Sequence, residues 1–431
     1  MNNNTFSWFT RFAAFLFFLL VSTGCVNKTN KPVPWDYKDN DIIGLKSQPD
    51  KKILIDIYLD ATSSMEGYAN PKTHYADFLS DVDAIARNSF GTTNVDLYKF
   101  GSKIRPINRS EFLSASKFQT GFYKEKGIFE DTCIDNVVDS TNVSGLSIVI
   151  TDLFQKSQDV TGIVSKIKSR CFDQGIDVGL LCINSQFRGT IYDGYDAPYQ
   201  FSSKEEDETS YRPFYALVFG KHDNIDKLFK LLRSKPYMKG EHFLIISPFI
   251  VKSFDARLIP DMKNDFQFTS ATDNSQKNDV YYRLKNKKNK NYITVPLVIK
   301  YLPKDYSAIF SHDLEIVAYR RKGVKDSILI NNVKIDSLPV FHGDSIKTKL
   351  GITIPSEKDW YSYKIYLKIP EIGGLMPPLW VDSLSSVNPS QVHDANKTLN
   401  LKEFVEGLLQ ANLSHQQPSI AKIYFTFERK N

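Results

Sequence analysis

The sequence predicts an α/β chain: a doubly wound, mostly parallel sheet with helices on both faces over residues 51–255, then an antiparallel, sandwich-like β domain with one helix over 260–431. Three observations carry this. Up to about residue 250, apolar runs of strand length alternate with apolar residues at helical spacing, as repeated β-α-β units do. Those runs are nearly continuous, which suits strands covered on both faces. Beyond residue 260 apolar and polar residues alternate one by one instead, the pattern of strands with a single buried face.

The first segment stands outside the fold. Phe12 to Val21 is an unbroken apolar stretch preceded by Arg11 and followed by "STGC". Such a stretch is too short to span a bilayer as a helix and suits the apolar region of a signal peptide. Ser22, Thr23, Gly24 and Cys25 resemble a bacterial lipobox, although Ser22 stands where leucine is usual. The resemblance implies a signal peptide over 1–24 and lipid on Cys25, with the two acyl signals that stable anchoring needs. Residues 25–50 are polar, bear Pro and Asn and lack periodicity, as a tether does.

The elements follow in order. Ile53 to Leu59 reads as a buried strand ending on Asp60; Phe78, Leu79, Val82, Ile85 and Ala86 mark a helix. Asn94 to Phe100 is a second strand, and Leu146 to Leu153 a third that carries Asp152 at its end. Val160, Ile163, Val164 and Ile167 mark a helix, and Ile176 to Ile183 another strand. Between Ser185 and Arg212 lies an insertion rich in tyrosine, glycine and charge, a loop suited either to partner recognition or to mere surface decoration. Pro213 to Gly220, the helix of Ile225, Leu228, Phe229 and Leu232, and His242 to Ser247 complete the series. In the second half, Tyr361, Tyr363, Ile365, Leu367 and Ile369 share one strand face, and Leu401, Phe404, Val405, Leu408 and Leu409 form one helix. The change of pattern near residue 255 predicts that 50–255 folds alone.

Composition narrows the function. A net charge of +6 over 431 residues is too dilute to imply nucleic acid. The basic run "KNKKNKN" at Lys285 to Asn291 lacks interleaved aromatics and reads as a solvated turn. Apart from Cys25, Cys133, Cys171 and Cys182 have no C-x-x-C spacing, so buried free thiols are expected, not zinc or a disulfide framework. "HGDSI" at His342 to Ile346 resembles a serine-hydrolase block, but no D-x-x-H accompanies it and Gly-Asp-Ser is common turn chemistry. No nucleophile or acid–base constellation appears, and the chain is expected not to be an enzyme.

Asp60, Thr62 and Ser64 in "LDATSSM" place oxygen donors where a strand stops, as hard-cation ligands are placed. With Asp152 at another strand end and the alternating architecture, residues 51–255 resemble a von Willebrand factor A (VWA) domain. The family's metal-ion-dependent adhesion site has the pattern D-x-S-x-S, a later threonine and a further aspartate. The resemblance implies that Asp60, Thr62 and Ser64 supply the first element, with Thr62 for the first serine. It further implies Asp152 for the last, Thr132 for the middle threonine (or Thr141), and a solvent-facing Mg2+, Mn2+ or Ca2+ that accepts a carboxylate from a protein partner. Together these imply a Gram-negative lipoprotein of the cell envelope, in the outer membrane and facing the periplasm. The alternatives are a structural envelope protein with a degenerate metal site, or a hydrolase.

Overall fold

The structure is a computed structural model that describes residues 52–428, apart from 92–93, 119–120, 129, 143, 155–159, 193–197, 205, 259–265, 271–281, 287–290, 312, 323–325, 343–344, 357–359, 387–394 and 416–418. The segments expected to be a signal peptide and a tether, with Cys25, and much of the basic run and of "HGDSI" therefore lie outside the described residues. Among the described residues no helix is long and apolar enough to cross a membrane.

Strands β1 (Ile55–Asp60), β2 (Val95–Phe100), β3 (Ile104–Ile107), β4 (Leu146–Thr151), β5 (Asp177–Ser185), β8 (Arg212–Gly220) and β9 (His242–Ile246) form one sheet, ordered β3-β2-β1-β4-β8-β5-β9. A separate hairpin, β6 (Arg188–Ile191) with β7 (Tyr199–Ser202), leaves the sheet between β5 and β8. β1 runs parallel to β2 and to β4. β8 lies antiparallel between β4 and β5, and β9 antiparallel to β5. The sheet is therefore mixed, where the sequence predicts a mostly parallel one. The cause is the connection: β5 reaches β8 through the hairpin and not through a crossover helix, so the chain returns in the opposite direction.

Helices α1 (His74–Ser89), α2 (Arg109–Ser114), α3 (Ile134–Ser140), α4 (Val160–Arg170) and α5 (His222–Arg233) accompany this sheet. Phe78, Leu79 and Val82 of α1 and Leu228 of α5 pack with Ile57, Leu59 and Ile150 on one face. Val137 of α3 and Ile163 and Ile167 of α4 pack with Tyr58, Val149 and Leu180 on the other. β1 leads to β2 on one side and β4 lies on its other side, so the ends of β1 and β4 flank the point where the strand order reverses. Crevices outside carboxyl strand ends open there.

Beyond residue 250, Val251–Leu258, Tyr292–Pro303, Ser345–Thr353 and Val333–His342 form an antiparallel four-stranded sheet. A six-stranded sheet is antiparallel except where Tyr282–Asn286 pairs parallel with Ser419–Glu428. Among the described residues this half holds two helices, α6 (Leu379–Leu384) and α7 (Leu401–His415), where the sequence pattern predicts one. α7 lies against α4, and at Gly407 the approach is so close that a Cβ would sit 3.2 Å from a Val164 methyl. Leu401, Phe404, Val405, Leu408, Leu409 and Leu413 are all buried there, each worth about 1.5–3 kcal/mol. Their sum is on the order of 10 kcal/mol, comparable with the whole stability of a domain. The apolar cluster on this face also takes in Ile299, Leu350 and Ile365 of the two β sheets. One core thus runs through the change of pattern near residue 255.

Polar contacts bind the same seam. Asp177 accepts from Ser247 at 2.9 Å, Lys304 donates to Ser247 at 3.0 Å, and Asn412 of α7 donates to the Ser247 carbonyl at 3.0 Å. Cys171 and Cys182 are buried free thiols, whereas Cys133 is only half-buried. Burial pushes the Cys171 thiol up to about 12, which keeps it protonated and unreactive.

Candidate metal centre

β1 delivers Asp60 to its carboxyl end, and the chain then turns at once. The Ala61 amide donates to the Phe100 carbonyl at 2.8 Å, pinning the turn to the end of β2. A 3-10 helix, Ser63–Tyr68, follows with Thr62 at its N-cap position, yet the Thr62 side chain makes no capping bond. Its hydroxyl donates to Asp60 Oδ1 at 2.6 Å instead, and its amide donates to the same oxygen at 3.0 Å. A residue type that normally caps helices is here turned toward a carboxylate.

Two further hydroxyls reach Thr62. Ser64 Oγ lies 3.2 Å and Thr132 Oγ1 3.0 Å from Thr62 Oγ1. Thr132 arrives from the loop before α3, held where the Cys133 amide donates to the Gly101 carbonyl at 3.3 Å. Thr141, the other candidate, stays at the far end of α3, where its hydroxyl donates to the Val138 carbonyl. Gly101 explains how two loops approach so closely. A Cβ there would lie 1.8 Å from the Ile128 carbonyl oxygen and 3.1 Å from the Thr62 methyl.

β4 completes the group. Asp152 follows the strand directly, and its Oδ1 accepts the Phe154 amide at 3.1 Å. Between these two residues Leu153 adopts φ 60°, a left-handed backbone that costs a non-glycine residue roughly 1–2 kcal/mol. Thr151, which the sequence reading passed over, donates to Asp60 Oδ2 at 2.7 Å. Its signal was the adjacent "TD" at a strand end.

The electrostatics of the group are set by two carboxylates. Burial, and then the charge of Asp152, push Asp60 up to about 7 against the hydrogen bonds of Thr62 and Thr151. Tyr75 and Tyr123, buried and joined hydroxyl to hydroxyl at 2.8 Å, lie close enough for the Asp60 charge to raise both phenols further. Negative charge therefore accumulates in a closed space, which a cation would relieve.

Asp60, Thr62, Ser64, Thr132 and Asp152 are between 0% and 8% exposed. The sequence reading expects a solvent-facing rim; the oxygens lie below the surface, because the loops after β1 and before α3 close over the strand ends. The insertion after β5 contributes to this cover. Its hairpin is not a loose decoration: the Phe187 ring packs on Gly67 and Tyr68 of the 3-10 helix, and Gly189 lies against the Gly67 backbone.

Among the described residues no three His, Cys, Asp or Glu side chains gather to hold a metal. The donor set here is two carboxylates and three hydroxyls, all oxygen, which suits a hard cation and not zinc. An octahedral Mg2+ with oxygens at about 2.0–2.1 Å sets neighbouring ligands about 3.0 Å apart. The spacings of Thr62 to Thr132 and Ser64, 3.0 and 3.2 Å, fit that edge. No family model matches the chain, and no curated protein matches it.

Proposed function

We propose that this chain is a lipid-anchored protein of the cell envelope that binds a protein partner through a cation held by Asp60, Thr62, Ser64, Thr132 and Asp152. The observation that carries the reading is the convergence of hydroxyls from two separate loops on Thr62, beside two buried carboxylates at neighbouring strand ends. When bound, a Mg2+ or Mn2+ ion would supply an electrophilic position for a carboxylate of the partner. Thr62, Ser64 and Thr132 would ligate through oxygen lone pairs, and the two aspartates would balance charge. In this reading the seven-stranded sheet is a VWA-type sheet with β8 inserted, and the strands beyond 250 are a sandwich packed beside it. In this reading the site binds without turnover, its hydroxyls and carboxylates serving as ligands.

A second reading has its own observation. The hydroxyls already satisfy one another, and the group is nearly closed to solvent. That suits a structural polar knot in an envelope protein that has lost its cation. Partner capture from solubilised envelope, with and without chelator, separates the two. Loss of the partner in EDTA and in Asp60→Ala supports adhesion, and retention in both supports the structural reading.

A further inference from the structure

A cavity of about 980 Å3 opens beside α1, and none of the cation-site residues lines it. Its volume lies at the upper end of what organic ligands occupy. Its charges come from three separate stretches of chain. His74, Asp77 and Asp81 share one face of α1, three and four residues apart. Asp77 lies in the first turn of α1, where the helix dipole favours it, and Asp81 follows one turn later. Lys235 and the Tyr237 hydroxyl answer Asp81, at 2.7 and 3.1 Å. The aromatic wall is made by Tyr211 and Tyr237, whose rings flank His74 with centroids 5.5 and 5.8 Å away.

Glu241 lies at the end of the cavity nearest β5. Its Oε2 accepts both the backbone amide and the side-chain amide of Asn184, each at 3.2 Å, closing the edge of β5 beyond its pairing with β9. A glutamine would accept the same two bonds. A carboxyl is present instead, where burial and the neighbouring Glu208 disfavour its charge. A cation bound beside it would favour the ionised form. Four carboxyl groups in all line a cavity that holds two lysines, Lys235 and Lys239.

We propose that this cavity binds an organic cation, a guanidinium or primary ammonium group seated between Glu241 and Asp77 against the tyrosine wall. Tyrosine faces attract such cations, and paired carboxylates bind guanidinium through charge-assisted hydrogen bonds. The group comes either from a free diamine or from a basic side chain on a peptide. The site is independent of the cation centre.

The test is calorimetric titration of the full-length chain in detergent, in EDTA, with agmatine, with the blocked peptide acetyl-Gly-Arg-Gly-amide, and with uncharged butylurea. One of the two cations saturates a single site; tighter agmatine identifies a free amine as the source, and tighter peptide a basic side chain. Glu241→Gln, which keeps the Asn184 bonds, and Asp77→Asn, at an exposed position, each weaken binding tenfold or more. Butylurea gives no saturable heat. Absence of saturation by both cations, equal affinity for butylurea, or affinity untouched by both variants overturns the proposal.

Discussion

Asp177→Asn strips a buried lysine of its counter-charge while keeping the shape of the side chain. Asp177 and Lys304 are both buried, and their charged atoms are 3.8 Å apart, with Ser247 between them. His222 Nδ1 lies 2.7 Å from the same carboxylate. Burial lowers the Lys304 ammonium, and Asp177, with Asp223, works against that. Removing one partner of a buried pair costs about 3–5 kcal/mol. The low end applies here, because Asp223 remains and the lysine can shed its proton. The double variant Asp177→Asn with Lys304→Met has no unpaired charge and regains most of that loss. Asp177 precedes the change of sequence pattern and Lys304 follows it, so the effect also reports whether the two stretches unfold together. Trp380 lies at the same seam, its ring stacked on His242 at 5.0 Å. In urea, tryptophan fluorescence, to which Trp380 contributes, and the far-ultraviolet circular dichroism should move in one transition, shifted by about 3 kcal/mol in Asp177→Asn. A loss under about 1 kcal/mol, or two separate transitions, refutes the single shared core.

Three further outcomes follow. Glu241 is raised to about 8, so the folded state holds its proton more tightly than the unfolded chain does. Stability should fall as pH rises from about 4.5 to about 8. Glu241→Gln should match wild type at pH 4.5 and exceed it by about 1–3 kcal/mol at pH 8.5, after discount for partial exposure; equal melting at both pH values contradicts the burial. Gly101→Ala drives a methyl into the Ile128 carbonyl and should cost about 2–4 kcal/mol in urea titration, whereas a neutral effect means that the two loops are not in contact. Cys25→Ser should leave the protein unlipidated by mass spectrometry and release it from the membrane fraction; wild type without lipid removes the anchor from the account.

The central strands and the helices α1, α4 and α5 were legible from apolar runs and helical spacing, whereas short elements such as β3, α2 and the β6–β7 hairpin carry too few apolar residues to show a pattern. Strand directions were not legible: a continuous apolar run such as "PFYALVFG" reads the same whether it lies parallel or antiparallel, and only the helix-free route from β5 decides it. α7 was visible as a helix from Leu401, Phe404 and Leu408, but an amphipathic stripe does not say which sheet it covers. At the candidate metal centre, Asp60 and Asp152 stood out because each ends a buried strand. Thr132 depended on chain order alone, and Thr151 was hidden beside a more conspicuous aspartate. The amine cavity could not be read at all, since His74, Asn184, Tyr211 and Glu241 meet only after folding.

The central claim is a cation among Asp60, Thr62, Ser64, Thr132 and Asp152, and melting of the full-length chain in EDTA and in millimolar Mg2+ or Mn2+ tests it most directly. Bound metal stabilises the folded state by RT ln(1 + [M]/Kd), about 2.7 kcal/mol at a hundredfold excess over Kd. Comparing each variant with itself across the two conditions removes any effect of the substitution on the fold. Wild type and Ser63→Ala, whose hydroxyl makes no contact with Thr62 or Asp60 among the described hydrogen bonds, should shift upward with metal. Asp60→Ala, Asp152→Ala and Thr62→Val should not shift. A wild-type protein that melts identically in EDTA and in metal, or an Asp60→Ala variant that still responds, contradicts the account.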